Sequence, residues 1–114
     1  MSEPKFDELI HPSTRLSIVA LLASADWIDF AFVRDRLALS DSALSKQFAT
    51  LEEAGYIAVE RRVADRRRRV RVRLTDGGRS AFEGHVAMLR SIIASADAQQ
   101  LAAQPTAASS SALP

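Results

Sequence analysis

Residues 40–74 read SDSALSKQFATLEEAGYIAVERRVADRRRRVRVRL, and this stretch decides the fold. Its first part predicts a helix, because Leu44, Phe48 and Leu51 recur at the i, i+4 and i+7 spacing that places side chains on one helical face. Ser40 supplies a side-chain oxygen that can accept a hydrogen bond from the free amides of the first turn. We therefore expect a helix with one buried face and one small, polar face.

A two-stranded ribbon is predicted after the helix, which should end at Gly55, the residue type that most readily adopts a left-handed conformation there. Residues 56–63 are rich in β-branched and aromatic side chains, and residues 64–68 form a polar tip. In the first strand, the alternating positions are occupied by the apolar residues Ile57, Val59 and Val63. In residues 69–74, period two places Val70, Val72 and Leu74 on the core face and Arg69, Arg71 and Arg73 on the water face.

Positive charge is concentrated on this ribbon, although the net charge of the whole chain is only +1. Residues 61–73 contain eight of the fifteen lysine and arginine residues and a single acidic residue, Asp65. Such a local concentration predicts an anion-binding surface. The alternative is an edge strand that its charges protect from aggregation, although one or two charges suffice for that purpose.

The preceding part of the chain supplies the rest of a helix-turn-helix. A first helix is expected over residues 12–24, then a short strand within residues 26–30 and a second helix over residues 31–37. The inward-facing residues of the second helix should be Phe32, Val33 and Leu37. The turn of residues 38–40 is as short as a helix-turn-helix requires.

A last long helix follows Thr75, which can cap it. Its apolar residues repeat by four, three, four and three, a spacing typical of helix–helix association. The stripe residues that we expect at a dimer interface are Phe82, Val86, Leu89, Ile92 and Ile93. The alternative is that this helix only folds back on its own core. Residues 96–114 are rich in Ala, Ser and Pro and predict a disordered tail, which leaves residues 1–95 as one domain with an N-terminal extension.

Other classes of function lack the residues that they need. The chain has no cysteine, so it has no disulfide or thiolate metal site, which fits a reducing cytoplasm. No catalytic constellation can be assembled, no cofactor is expected, and no apolar run reaches the roughly 18 residues of a membrane helix. We expect His11 and His85 to be packing or helix-end residues rather than metal ligands, and Trp27 to fill the core or an interface. Gly77 and Gly78 lack the spacing of a phosphate loop and instead predict a close approach of backbone.

The parts of a DNA-binding surface are present. The predicted helix fits a major groove and exposes polar side chains to base edges, and the ribbon arginines can follow phosphates or enter a narrow minor groove. Lys46 suits guanine or phosphate, and Gln47 suits adenine, although Gln47 lies nearer the buried side. The candidate DNA-binding residues are Ser40, Ser42, Ala43, Ser45, Lys46, Gln47, Thr50, Arg66, Arg67, Arg68, Arg69 and Arg71.

The order of these elements resembles the winged helix-turn-helix of small prokaryotic transcription regulators, and most closely the short relatives of the MarR group. The resemblance covers residues 11–93 and is carried by Leu39-Ser40-Asp41, Leu44-Ser45, LEEAGYI at residues 51–57, Asp65-Arg66-Arg67, and Leu74-Thr75 with Gly78-Arg79. It implies a mainly α fold with a small antiparallel β-sheet (α+β) and a homodimer on double-stranded DNA.

The same resemblance assigns further roles. It implies that Asp65 braces the wing and that Arg67 or Arg68 reaches the groove. The family often has Asn and His where this chain has Ala43 and Gln47, so base contacts do not transfer by name. Related regulators sense small molecules in a cleft, which Trp27, Phe30, Phe82 and Met88 could line, although core packing explains these residues equally well.

Two functions remain open on the sequence alone. The first is a sequence-specific regulator of transcription that binds double-stranded DNA as a homodimer. The second is a winged-helix interaction module whose basic ribbon binds an acidic protein or RNA. Only the first requires that the polar face of the helix discriminate among DNA sequences.

Overall fold

The computed structural model describes residues 3–103 and contains four helices and three short strands in that part of the chain. In chain order these are α1 (Ser13–Ala23), β1 (Ile28–Asp29), α2 (Phe30–Leu37), α3 (Asp41–Glu53), β2 (Ile57–Ala64), β3 (Arg67–Leu74) and α4 (Asp76–Ala103). The expected fold class, mainly α with a small antiparallel sheet, is confirmed. The short strand expected near residue 28 is also present.

The sheet has the order β1-β3-β2, and both pairs are antiparallel. Strands β2 and β3 pair along their whole length, from Ile57 opposite Leu74 to Ala64 opposite Arg67. The two residues between them, Asp65 and Arg66, both have positive φ, at 52° and 63°. A two-residue connection with both residues left-handed suits the twist of a β-hairpin, although Asn-Gly is the usual choice.

The core lies where α1, α2 and α3 meet the proximal half of the ribbon. Its buried apolar residues are Ile18, Val19, Leu22, Val33, Leu44, Phe48, Leu51, Ile57, Val72 and Leu74. The apolar face predicted for α3 is therefore confirmed, as is the inward face of β3 at Val72 and Leu74. The distal half of the ribbon has no core beneath it, and Val63 is 75% exposed.

One inward-facing residue was predicted wrongly on α2. Phe32 is 52% exposed, whereas Phe30 packs edge-on against Phe48 with ring centroids 5.6 Å apart. The helix begins at Phe30, one residue earlier than expected, so Phe30 and Val33 share the inward face. At about 100° per residue, Phe32 then points away from the core.

The junction between ribbon and α4 is a close contact of backbones. Gly55 ends α3 with a φ of 79°, as expected, and Thr75 donates its N–H to the carbonyl of Tyr56 over 3.0 Å. The Thr75 hydroxyl donates to the Gly55 carbonyl (2.7 Å) and accepts from the N–H of Gly78 (3.0 Å). A Cβ at Gly78 would lie 2.1 Å from the Tyr56 oxygen, so the close approach predicted from the glycine pair is confirmed at Gly78.

Helix α4 is longer than expected. The predicted tail was to begin at residue 96, but the helix continues to Ala103, because alanine and glutamine are good helix formers even where they bury little surface. All side chains from residue 91 to residue 100 are exposed. The remainder of the predicted tail, residues 104–114, lies outside the described residues.

The N-terminal segment, residues 3–12, is packed on α4 and on Tyr56, which lies between α3 and β2. Lys5 donates its N–H to the Gly84 carbonyl over 2.9 Å, and the N–H of Asp7 donates to His85 Nδ1 over 3.0 Å. The carboxylate of Asp7 accepts a 2.5 Å hydrogen bond from the Tyr56 hydroxyl. This segment therefore joins α4 to the connection between α3 and the ribbon.

Candidate nucleic-acid interface

The N-terminal half of α3 presents a small polar surface. Ser42, Ser45 and Lys46 are exposed, as expected from their helical positions. The hydroxyl of Ser40 accepts the N–H of Ala43 at 3.1 Å, so Ser40 caps the helix as predicted. The cap leaves the three exposed side chains as the polar groups best placed to meet a ligand.

Two other candidate readers on α3 are engaged within the protein. The Thr50 hydroxyl donates to the Lys46 carbonyl one turn earlier, over 3.2 Å. The side-chain oxygen of Gln47 accepts a hydrogen bond from Arg15 Nη1 at 3.0 Å, and Arg15 Nε also donates to the Leu9 carbonyl at 2.6 Å. Arg15 thus occupies one of the two lone pairs of the Gln47 oxygen, and the bidentate adenine contact expected for Gln47 would need the other.

The tip of the ribbon carries unpaired positive charge. Arg66, Arg67, Arg68 and Arg69 are exposed, and within residues 3–103 none of their guanidinium groups makes an ion pair. Asp65 also makes no ion pair in the described chain, so no ion pair supports the bracing role that the resemblance implies for it. Four neighbouring guanidinium groups without internal partners form a strong local anion site.

The arginines nearer the body are held by internal partners. Glu60 accepts two hydrogen bonds from Arg71, at 2.8 and 3.1 Å, and the Arg71 hydrogen bonds hold the pKa of Glu60 below its usual value. The guanidinium groups of Arg71 and Arg73 lie 4.5 and 5.2 Å from the ring centroid of Trp27. Trp27 is thus a half-buried cation–π partner of the ribbon, where a core or interface role was expected. Arg71 is less available to a ligand than the four tip arginines.

The ribbon and α3 line common clefts. A cleft of about 360 Å³ is bordered by Asp41, at the start of α3, and by residues 67–69. A second cleft of about 310 Å³ lies between Ser45 and Ala49 of α3 and Arg61 of the ribbon. The cationic tip and the polar surface of α3 are therefore on the same side of the molecule.

An ion-paired arginine fixes the entry to α3 beside this cleft. Arg34 contacts Asp35 at 2.8 Å and Asp41 at 2.9 Å, and these hydrogen bonds raise the pKa of Arg34, with Asp35 the larger cause. The pair with Asp41 links the end of α2 to the first residue of α3. Its exposed position makes it a positioning contact more than a source of stability.

The residues considered for an effector cleft have different surroundings within the described part of the chain. Trp27 lines a cleft of about 510 Å³ together with Leu21 and Phe32, whereas Phe30 lines the clefts beside the ribbon. Phe82 packs against the core. Core and surface packing account for these side chains in the present conformation.

The apolar stripe of α4 changes environment along its length. Phe82 packs on the core, and Val86 and Leu89 are half-buried. Ile92 and Ile93, by contrast, are 52% and 61% exposed. The first part of the stripe therefore belongs to the domain itself, and its continuation is uncovered.

The two histidines meet although 74 residues separate them in the sequence. Their ring centroids are 5.4 Å apart, and Phe6 lies 4.7 Å from His11 and 4.9 Å from His85. His85 is fully buried, and burial is the first cause of its lowered pKa, followed by the charge of His11. Its Nε2 has no hydrogen-bond partner in the described structure. Residues 3–103 contain no group of three or more potential ligand residues placed to hold a metal ion.

Nothing between residues 3 and 103 forms a helix with the length and apolar character needed to span a bilayer.

Comparison with known proteins places these features in a wider group. A family model described as a winged helix DNA-binding domain matches residues 14–93. An uncharacterized protein of the archaeon Methanocaldococcus jannaschii is 27% identical over 79 residues, which cover 69% of this chain and 86% of that protein.

Solved structures share the same fold. A transcriptional regulator homologue from Pyrococcus horikoshii superimposes with a TM-score of 0.75 at 24% identity and covers 80% of this chain and 90% of its own. A MarR-family transcriptional regulator from Silicibacter pomeroyi superimposes with a TM-score of 0.58 at 24% identity, over 73% of this chain and 55% of its own. At these identities the likeness concerns the fold.

Proposed function

Since this chain belongs to the family of winged helix DNA-binding domains, we propose that it regulates transcription as a homodimer that binds specific sequences of double-stranded DNA. The family match confirms the winged helix-turn-helix predicted from the sequence, and the family consists of DNA-binding domains rather than enzymes. One observation carries the finer proposal: unpaired arginines of the ribbon tip border one cleft, Ser45 of α3 borders a second, and the two clefts adjoin because both are lined by Phe30, Asp41 and Val70. We also propose that the protein works in the cytoplasm, where its DNA target would lie.

In the proposed complex, α3 enters a major groove and the ribbon follows the neighbouring backbone. Ser42, Ser45 and Lys46 are the exposed side chains that contact base edges or phosphates, and the Ser42 hydroxyl also shares a 3.3 Å hydrogen bond with that of Ser40. The guanidinium groups of residues 66–69 neutralise phosphates or enter a narrow minor groove. Arg71, which is paired with Glu60, contributes less.

The exposed part of α4 supports self-association. Ile92 and Ile93 continue the apolar stripe beyond the domain's own core, and each buried isoleucine contributes roughly 1.5–3 kcal/mol. A pair of such helices related by a two-fold axis would present two copies of α3 to one face of DNA. The expected operator is a palindrome with half-sites about one helical turn, or roughly 10 base pairs, apart.

Duplex binding can be tested by fluorescence anisotropy on genomic fragments at several salt concentrations. Alanine at all four positions 66–69 should weaken binding. It should also reduce the slope of log K against log salt concentration by about 1 for each phosphate that the variant no longer neutralises. The control is Arg90→Ala, which removes an exposed arginine of α4 outside both clefts and should leave the slope unchanged. A wild-type protein that binds no duplex at low salt would refute the proposal, and binding of RNA or an acidic protein instead would favour the interaction module.

Sequence discrimination needs a separate measurement. Alanine at Ser42, Ser45 or Lys46 should change the order of preference among duplexes, because base contacts carry the sequence information. The four-alanine ribbon variant should instead weaken all duplexes by a similar factor. Equal preferences in all these variants would refute readout by α3.

The oligomeric state can be measured by sedimentation at a series of concentrations. The double variant Ile92→Glu with Ile93→Glu should dissociate the dimer by placing charge on the apolar stripe. Phe32→Glu is the matched control, since Phe32 is similarly exposed at 52% but lies on α2. A monomeric wild-type protein, or equal dissociation by the control, would contradict the proposed interface.

A further inference from the structure

We propose that Arg61 is a further DNA-contacting residue of the ribbon, and that Glu52 of α3 holds it in the free protein and releases it to a phosphate when DNA binds. The inference rests on the proposed function, since it requires a duplex against α3 and the ribbon. It adds a residue outside the candidate DNA-binding residues predicted from the sequence. It also makes Glu52 an internal competitor that lowers the affinity for DNA.

Arg61 occupies an inward position of the ribbon. Alternate residues of a strand share one face, and in β2 this face begins with the buried Ile57 and the half-buried Val59. Arg61 is the next member of the series and lies opposite Val70 of β3. The core does not extend this far, since the Arg61 side chain is 64% exposed. An arginine therefore stands where the apolar alternation would place a core residue.

The cleft between the ribbon and α3 places Arg61 beside the proposed DNA-binding surface. Ser45 and Ala49 border this cleft from α3, and Arg61 borders it from the ribbon. Ser45, Ala49 and Glu52 recur at the i, i+4 and i+7 spacing, so they lie on one flank of α3, which is turned toward the ribbon. Arg61 therefore shares a surface with Ser45, one of the exposed side chains proposed to contact DNA.

Glu52 neutralises Arg61 in the free protein. Arg61 Nη2 lies 3.5 Å from Glu52 Oε1, whereas Asp41, the other carboxylate on this cleft in the described chain, is held by Arg34. A guanidinium group has several N–H donors, so the pair leaves donors open to a phosphate. The charge of Glu52 opposes a phosphate there, because two anions would share one cation. Since the pair is exposed and longer than a normal hydrogen bond, DNA can displace it at little cost.

A purely structural tether between α3 and the ribbon predicts the opposite effect. If the pair served only to fix the ribbon relative to α3, its removal would loosen the surface that meets DNA and would weaken binding. If Glu52 competes with a phosphate for Arg61, neutralising Glu52 should tighten binding. The sign of the change in affinity therefore distinguishes the two roles.

The contact itself is tested by fluorescence anisotropy over a series of salt concentrations, with the genomic fragment that the wild-type protein binds most tightly as the probe. Arg61→Ala should weaken binding and reduce the slope of log K against log salt concentration by about 1. Arg61→Lys should keep the wild-type slope, because lysine also neutralises a phosphate. Since a phosphate contact carries no sequence information, Arg61→Ala should weaken binding to a scrambled duplex by a similar factor.

The competitor role is tested by removing one negative charge at each of two neighbouring positions. Glu52→Gln should tighten binding by roughly 1.5- to 5-fold, the range that exposed ion pairs span. Glu53→Gln is the matched control, because Glu53 is exposed, carries the same charge and makes no ion pair within residues 3–103. Its effect measures the loss of one charge alone, so it should be smaller.

A double variant links the two residues. In a protein that already carries Arg61→Ala, Glu52→Gln should have no larger effect than Glu53→Gln, because no guanidinium group is left to release. Circular dichroism at the assay temperature verifies that each variant is folded, and all the substituted side chains are exposed.

The outcomes separate the two levels of the proposal. A wild-type protein that binds no duplex at low salt overturns the proposed function and the inference together. Duplex binding with affinity and slope unchanged in Arg61→Ala overturns the inference alone. So does weaker binding by Glu52→Gln, a gain no larger than that of Glu53→Gln, or a gain that persists in full without Arg61.

Discussion

Replacement of Gly78 by alanine should destabilise the protein, whereas the same replacement at Gly77 should stabilise it. A Cβ on Gly78 would lie 2.1 Å from the Tyr56 oxygen and 2.9 Å from both the Tyr56 carbonyl carbon and Leu74 Cδ1. A Cβ on Gly77 would have its nearest neighbours at 3.8 and 3.9 Å, which is ordinary contact. Both glycines lie in the first turn of α4, so the two substitutions differ mainly in the space around them.

The magnitudes follow from those distances. Relief of the contact at Gly78 must move α4 away from backbone, at an overpacking cost of about 1–3 kcal/mol. The movement also strains the hydrogen bond from Thr75 N–H to the same Tyr56 oxygen, worth about 1 kcal/mol, and the gain in helix propensity offsets about that amount. A net loss near 2 kcal/mol lowers the melting temperature by roughly 10 °C in a domain of this size. At Gly77 only the gain of about 0.4–1 kcal/mol remains, or a few degrees.

Thermal and urea unfolding, followed by circular dichroism, measure both effects. All proteins must be compared at one concentration, because self-association would make the melting temperature depend on it. Shifts of the same sign for the two variants would refute the claim that backbone contact between α4 and Tyr56 controls stability at this junction.

Two other predictions follow from the buried histidine and from the ribbon tip. Because burial and His11 lower the pKa of His85 while Asp7 opposes the shift, the unfolded chain binds the proton more readily. Stability is therefore complete above about pH 6.5 and falls as the pH drops through the folded pKa, by at most about 1.4 kcal/mol per pH unit for one proton. Urea unfolding between pH 8 and pH 5.5 should show this fall, His85→Gln should flatten it, and a stability that rises toward pH 5.5 would contradict it. At the tip, the double variant Asp65→Asn with Arg66→Gly should stabilise the ribbon by about 1 kcal/mol, because both positions have a left-handed backbone. The same variant should weaken duplex binding. Tighter binding by this variant would show that Arg66 contributes nothing to binding.

Local patterns in the sequence predicted the elements that carry the proposed function. The spacing of Leu44, Phe48 and Leu51 defines the buried face of α3, and the alternation of arginine and apolar residues defines β3. Both signals arise within one element, where the period alone decides which side chains share a face. The position of Phe32 could not be obtained this way, because it depends on where α2 begins to within one residue.

Contacts between distant parts of the chain could not be predicted. Arg15 and Gln47 are 32 residues apart, Asp7 and Tyr56 are 49 apart, and Asp7 and His85 are 78 apart. No periodicity links residues at such separations, and many polar pairs in the chain could have formed instead. These contacts nevertheless decide which candidate side chains can still bind a ligand. The sequence therefore predicted where the candidate surface lies, but not which of its side chains are already hydrogen-bonded within the protein.

The direct passage from β3 into α4 has a mechanical consequence. Thr75 alone separates the last residue of the ribbon from the first residue of α4, and the backbone contact at Gly78 stiffens that joint. The ribbon is therefore a lever arm of eight residues, or about 26 Å at roughly 3.3 Å per residue. In a dimer joined through α4, a change of about 10° in the crossing angle would swing each tip by about 4–5 Å over an arm of that length. A swing of that size exceeds the reach of a hydrogen bond, so a small angular adjustment at the dimer axis would suffice to disengage both tips from DNA.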